Sequence, residues 1–188
     1  KNWLKDYQKW LIESSQGKVE SSMLNNHATC YLLQKISLES FFNQEVSLFK
    51  SFLYANMLIN ESINNEGLQI HEIKRSLPAH YCCFNLQQFL NINSILINNS
   101  NFNLFGNNQK ENKLSKGIIW IYENYYKKGE IKQTHNIDKS RIDVLLHIAR
   151  SQSIYVRENI PRKDLLDIED LPSEFNQEAG IPFYWKSI

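Results

Sequence analysis

Asn25-Asn26-His27-Ala28-Thr29-Cys30-Tyr31 leads without a break into Leu32-Leu33-Gln34-Lys35-Ile36. Tyr31, Leu32, Ile36 and Phe41 fall at helical spacing, so a helix is expected over roughly 27–41, with polar groups at its start. A second stretch has the same design. Arg75-Ser76-Leu77-Pro78-Ala79-His80-Tyr81-Cys82-Cys83-Phe84-Asn85-Leu86 sets a guanidinium, an imidazole and a phenol at the head of an apolar run reaching about Leu96. Two helices that each open on anion-binding or proton-handling groups suggest loops converging on one rim. Together those groups could neutralise a carboxylate and move a proton beside it, a set suited to an acidic sugar.

The rest of the chain reads the same way. Trp3, Leu4, Tyr7, Trp10 and Leu11 give an amphipathic helix ending near Ser14-Ser15-Gln16-Gly17, with Trp3 and Trp10 expected in the core. Val46, Phe49, Phe52, Leu53 and Met57 stripe a further helix, which stops at the turn Asn64-Asn65-Glu66-Gly67. Ile118 to Tyr125 and Ile142 to Ile148 supply two more. No alternating strand pattern of useful length is present. The connections are long and rich in asparagine, above all 98–113. Residues 157–188 hold every proline but Pro78 and little periodicity, and are expected to wrap over other elements with Phe183, Tyr184 and Trp185 as anchors.

Successive helices of this length predict an all-α fold of antiparallel hairpins, forming part of an incomplete α/α toroid. No fixed-period repeat supports a regular solenoid. With 188 residues the chain is one domain or a large piece of one. A net charge of +1 gives no bulk attraction to nucleic acid or to an anionic membrane, so an electropositive site must be local. No apolar run is long enough to span a bilayer. The chain opens on Lys1 without a signal segment, so its start reads as processed or truncated. Three cysteines, Cys30, Cys82 and Cys83, make neither a disulfide framework nor a metal knuckle, and read as small buried fillers.

A family resemblance rests on two blocks. Tyr7-Gln8-Lys9-Trp10-Leu11, then Ser14, Gly17, Glu20 and Asn25 to Tyr31, resembles the alginate lyase family of polysaccharide lyases. The family pattern there is tyrosine-x-x-tryptophan-leucine, then asparagine-asparagine-histidine-glycine-threonine-tryptophan-tyrosine. In the second block, Glu66-Gly67 sits at an acidic-glycine turn. His71-Glu72-Ile73-Lys74-Arg75 is similar to proline-x-glutamate-leucine-x-arginine, and His80-Tyr81 with Phe84-Asn85-Leu86 to histidine-tyrosine-x-x-phenylalanine-asparagine-leucine. Phe102-Asn103-Leu104-Phe105 resembles the aromatic segment before the next family helix. The likeness covers about residues 1–130. Ala28, Cys30 and Leu33 depart from it, standing where glycine, tryptophan and aspartate are usual, and Pro78 and Cys82-Cys83 alter the second block.

The resemblance implies the carboxy-terminal part of a toroid lyase domain, its earlier hairpins missing or on a separate chain, working in the periplasm or outside the cell. It implies β-elimination on an acidic polysaccharide such as alginate or another uronan. Removing the C-5 proton piles charge onto the neighbouring carboxylate, so donors placed for the developing anion must come first. Asn26, His27 and Arg75 suit that role, and the free N–H groups and dipole of a helix opening at Asn26-His27 would add to it. A base then takes the proton and an acid protonates the leaving oxygen. Tyr81 can do both when they lie on one sugar face, with Arg75 favouring the phenolate. When they lie on opposite faces, His27 is the better base and Tyr81 the acid. By resemblance the catalytic set is Asn26, His27, Arg75 and Tyr81; beside them His80, Asn25 and Lys74 are expected to bind substrate, His80 either orienting Tyr81 or lining the cleft.

Plainer roles exist for each. Asn25 or Asn26 could simply cap a helix, Lys74-Arg75 could be a charged turn, and Tyr81 a core ring. A binding-only toroid would keep the shape without turnover. A metal enzyme would draw on His27, His71, His80 and perhaps a cysteine, but these lack a spacing such as His-Glu-x-x-His. No metal or other cofactor is expected.

Overall fold

The computed structural model describes residues 2–128 and 139–167, excepting the side chains of 139–141. The chain is all-α, and among the described residues the only β pairing is one isolated bridge between Ile63 and Gln69. The helices are α1 (Asn2–Glu13), α2 (Ser15–Ser22), α3 (Asn26–Phe41), α4 (Glu45–Ser62), α5 (Pro78–Asn99), α6 (Lys113–Ile121), α7 (Lys139–Gln152) and α8 (Ile154–Asn159). Single 3₁₀ turns stand at Glu72–Lys74 and Arg162–Asp164, and α6 runs on into a π-helical turn, Tyr122–Lys127.

Local sequence explains most starts. Ser14, Asn25, Asn112 and Ser153 each accept an N–H of the first turn that follows, and Pro78 opens α5, where a missing N–H costs nothing. The Ser14 cap has a consequence the periodicity hides: the expected stop at Ser14–Gly17 is the beginning of α2. Gly17 is required there, because a Cβ would lie 1.9 Å from the Leu11 carbonyl oxygen.

α3, α5 and α7 run in the same direction. The first turn of α3 and the second turn of α5 are joined by the Thr29 hydroxyl donating to Asn85 Oδ1 at 2.6 Å. At the other end, Gln152 closing α7 donates to Leu90 O and Ser94 Oγ in the second half of α5, and accepts from Asn93. Their N-termini therefore share a rim. α4 returns antiparallel to α3 after a three-residue link in which Asn43 takes a left-handed φ of 55°. Leu32, Ile36, Leu58, Ile63, Leu86, Phe89, Leu90 and Ile118 fill the space between, each almost wholly buried. The turn after α4 closes on α6: Gly67, at φ +90°, has no room for a Cβ, which would lie 2.3 Å from the Lys116 carbonyl oxygen.

Over 98–113 asparagines, joined by Asn93 of α5, take over backbone hydrogen bonding. Asn93 Oδ1 accepts Leu104 N–H, Asn112 donates to Leu104 O, and Asn103 accepts Phe105 N–H. This seats Leu104 and Phe105 in the core without any helix of their own.

One expectation is corrected, and the inward face of a second helix, which the spacing left open, is settled. Trp3 and Trp10 are 72% and 50% exposed, stacked through Tyr7 on the outer side of α1. On α4 the stripe Val46, Phe49, Leu53, Met57 faces outward, while Leu48, Ser51, Ala55, Leu58 and Ile59 face the core. Phe52 alone of the expected stripe packs on the core. Both faces of α4 are apolar, so spacing could not choose between them. Of residues 157–188, α8 reaches Asn159 and the segment to Asp167 lies across α7 and the π turn; Phe183, Tyr184 and Trp185 lie outside the described residues.

Candidate active site

At the shared rim the start of α3 meets the turn before α5. Asn25 is the cap of α3: its Oδ1 accepts the His27 N–H at 3.0 Å, which commits that oxygen to the backbone. The Asn26 N–H is accepted by Glu72 Oε1 at 2.6 Å, and Ala28 N–H by the Asn25 carbonyl. The first N–H groups of α3 are thus occupied, contrary to the expectation that they stay open for substrate. What the helix start still offers is its dipole and the side chains of Asn26 and His27.

Arg75 connects the two halves of the rim. Its Nη1 donates to Asn26 Oδ1 at 3.2 Å, and its guanidinium lies 4.0 Å above the centre of the Tyr81 ring. With the Asn26 oxygen facing Arg75, the NH₂ end of that amide is the group left to donate elsewhere. Arg75 and Tyr81 are half-buried, as is His80, whose ring meets Tyr81 edge-on at 5.1 Å and stacks on Phe84. His27 is 45% exposed, and its Nδ1 lies 2.8 Å from Glu20 Oε2. Lys74 is exposed at the end of the 3₁₀ turn. Asn26, Arg75 and Tyr81 therefore form one contiguous group, with His27 next along the chain from Asn26 and His80 edge-on to Tyr81.

Sequence reading passed over the roles of two carboxylates here. Glu72 is 1% exposed, and beyond its bond to Asn26 its Oε2 has no partner among the described residues. Burial holds this carboxyl above the usual range, while the Asn26 N–H, the Arg75 guanidinium and His27 pull it back down. Glu20 reaches His27 from α2, a helix the periodicity did not reveal. Behind the rim, Thr29 is bonded to Asn85, Asn85 Nδ2 donates to Gln69 Oε1, and Gln69 Nε2 to Cys82 O. These buried amides fix α3, α5 and the intervening loop in register, a rigid support for the groups in front.

Two of the thiols are held in the protonated form. Burial, then Glu20 and Glu72, pushes Cys30 up to about 11, and burial raises Cys82 well above the ordinary thiol range. Among the described residues no three His, Cys, Asp or Glu side chains gather into a group that could hold a metal ion.

Comparison with known proteins follows the same lines. A family model described as alginate lyase matches residues 1–131. Among solved structures the chain is similar to an alginate lyase from Bacteroides ovatus, with a TM-score of 0.75 at 16% identity. That alignment covers 98% of this chain and 48% of the other, so the chain spans about half the length of the protein it resembles. No curated protein matches its sequence. The shared fold is the α/α toroid, of which the hairpins described above are a part. The family match runs through both rim segments and ends just past the π turn, and on that match the chain belongs to the alginate lyase family of polysaccharide lyases.

Proposed function

We propose that the rim cleaves a uronic-acid polysaccharide by β-elimination. The observation that carries this reading is the position of Arg75, bonded to Asn26 and stacked on Tyr81. A cation held between an amide donor and a phenol is what a C-5 carboxylate and its neighbouring proton require. Arg75 and the Asn26 NH₂ group would bind the carboxylate and gain strength as charge moves onto it in the transition state. The C-5–H bond breaks with its proton passing to a base, the electron pair forms the C-4 to C-5 double bond, and the C-4–O bond breaks. The departing oxygen takes a proton from an acid. Tyr81 and His27 are the proton carriers in this scheme. His80 lines the Tyr81 side of the site, and Lys74 and Asn25 border it.

The family match supports an acidic polysaccharide as partner, and among the described residues no helix is long and apolar enough to cross a membrane. We assign the protein to the periplasm or the exterior, where such polymers are met. The likeness to a chain of twice the length supports the further proposal that more toroid hairpins complete the cleft. Mass spectrometry of products tests the reaction class. Elimination gives oligosaccharides one water lighter than those from hydrolysis. Hydrolytic masses, or binding of every uronan offered without cleavage of any, would overturn the proposal; the second result would favour a binding-only toroid.

A further inference from the structure

His27 has two ring nitrogens, and which one meets a substrate decides what the ring can do. Its Nδ1 is 2.8 Å from Glu20 Oε2. A carboxylate only accepts, so Nδ1 carries the hydrogen, and in the neutral ring Nε2 is left with a lone pair. The contact is built rather than incidental. Glu20 sits in the last turn of α2, whose start is fixed by the Ser14 cap and by Gly17 packed against the Leu11 carbonyl. The end of α2 is tied to α4 by the Tyr54 hydroxyl, which donates to the Ser21 carbonyl. On the other side the His27 N–H is bonded to Asn25 Oδ1, fixing the backbone from which the ring projects. Glu72, the second carboxylate near the ring, engages Asn26 and interacts with His27 only through its charge.

We infer that Glu20 is the positioning residue of His27: it selects the Nδ1–H form and presents Nε2 to the cleft as a proton acceptor. This deepens the lyase reading and rests on it. A neutral His27 so held cannot donate from Nε2 to the substrate carboxylate, which leaves that task to Arg75 and Asn26. It takes the C-5 proton instead. The electron pair of the C–H bond becomes the new double bond, the C-4–O bond breaks, and Tyr81 gives its hydroxyl proton to the departing oxygen. His27 ends protonated and Tyr81 deprotonated, and one proton passed back through solvent resets both. The arrangement suits uronates whose C-5 proton and C-4 oxygen lie on opposite faces.

The test is a long-range proton–nitrogen correlation spectrum of the full chain with ¹⁵N-labelled histidine, the His27 signals assigned with His27→Gln. The wild type is expected to show the Nδ1–H pattern. Glu20→Ala should lose it, whereas Glu20→Gln, whose amide oxygen still accepts, should keep it. In parallel, kcat should fall about 10- to 100-fold in Glu20→Ala with KM within about twofold, and recover substantially in Glu20→Gln. An Nε2–H pattern in the wild type would overturn the inference, as would an unchanged kcat in Glu20→Ala. The wild-type spectrum decides even if a variant fails to fold. It also needs no substrate, so absence of turnover on any uronan would count against the lyase reading and leave the His27 result standing.

Discussion

Two tyrosine clusters, less than one helix-pair apart in the chain, use the same side chain in opposite ways. At the rim, Tyr81 is held through its ring: Arg75 lies over one face and His80 meets it edge-on. Around the π turn, Tyr122 and Tyr126 are held through their hydroxyls. Tyr126 donates to Asp143 Oδ1 at 2.5 Å with the Asp164 carbonyl oxygen 2.7 Å away, and Tyr122 donates to the Asp164 carboxylate. Burial first, and then these aspartates, push both phenols far above the ordinary tyrosine range. A phenol donating to carboxylates retains its proton, whereas Tyr81 has a guanidinium against its ring. The difference teaches that burial and a carboxylate partner together make a structural clamp of a tyrosine, whereas the cation against the Tyr81 ring is what supports the proposal that it carries a proton. The clamp has its own task, since Leu166 N–H also bonds Asp143 and so straps 161–167 across α7.

Exchanging single groups between the two clusters should break the comparison in order of size. Tyr81→Phe is expected to lower turnover by about 10²- to 10⁴-fold while sparing polymer binding and thermal stability. Near-full activity would show that Tyr81 carries no proton. Arg75→Ala should lower kcat/KM by roughly 10²- to 10³-fold, with lysine restoring only part because it lacks the planar fork. Tyr126→Phe should do the reverse of Tyr81→Phe. Turnover on the same polymer stays close to wild type, but urea unfolding should show a loss of about 1–3 kcal/mol, because the buried Asp143 loses a donor and its Oδ2 already has no partner among the described residues.

Glu72 supplies a smaller, pH-dependent effect. Its carboxyl is raised in the folded state above 4.5, so the folded chain holds that proton more tightly than the unfolded chain. Its contribution to stability is therefore fully present at low pH and is lost as pH rises through 4.5 and on through the raised value. Glu72→Gln should flatten the stability profile over that window in urea titrations, and an unchanged slope would remove Glu72 as its source. Smallest of all, Cys30 at about 11 and the buried Cys82 should react with iodoacetamide at neutral pH far more slowly than a free thiol, read as alkylation half-times of the native protein.

Much of this was legible in the sequence, for reasons that differ by residue. Asn25 to Tyr31 and His80 to Leu86 each keep their polar groups contiguous at a helix start, so motif and periodicity point to the same place. The all-α class followed from the apolar spacing of α3 and α5. The short α2 was hidden because its eight residues hold one large apolar side chain, Val19, and no stripe. The core face of α4 was hidden because both its faces are apolar. Glu20 and Glu72 matched the family pattern, but their roles depend on what the fold brings to them, a histidine seven residues on and a backbone N–H forty-six residues back. Nothing in the local spelling of a glutamate announces that it will be buried. Trp3 and Trp10 failed the other way, since a helical stripe shows that residues share a face and not which way it turns.

The most direct test of the central claim is ultraviolet absorbance during incubation of the full chain with a panel of uronans, because a C-4 to C-5 double bond conjugated to the carboxylate absorbs where the intact polymer does not. Rising absorbance on one polymer, abolished by Tyr81→Phe and retained by Tyr126→Phe, is the result expected of a lyase rim at the starts of α3 and α5. A flat trace on every uronan, or equal rates in the wild type and Tyr81→Phe, would contradict it.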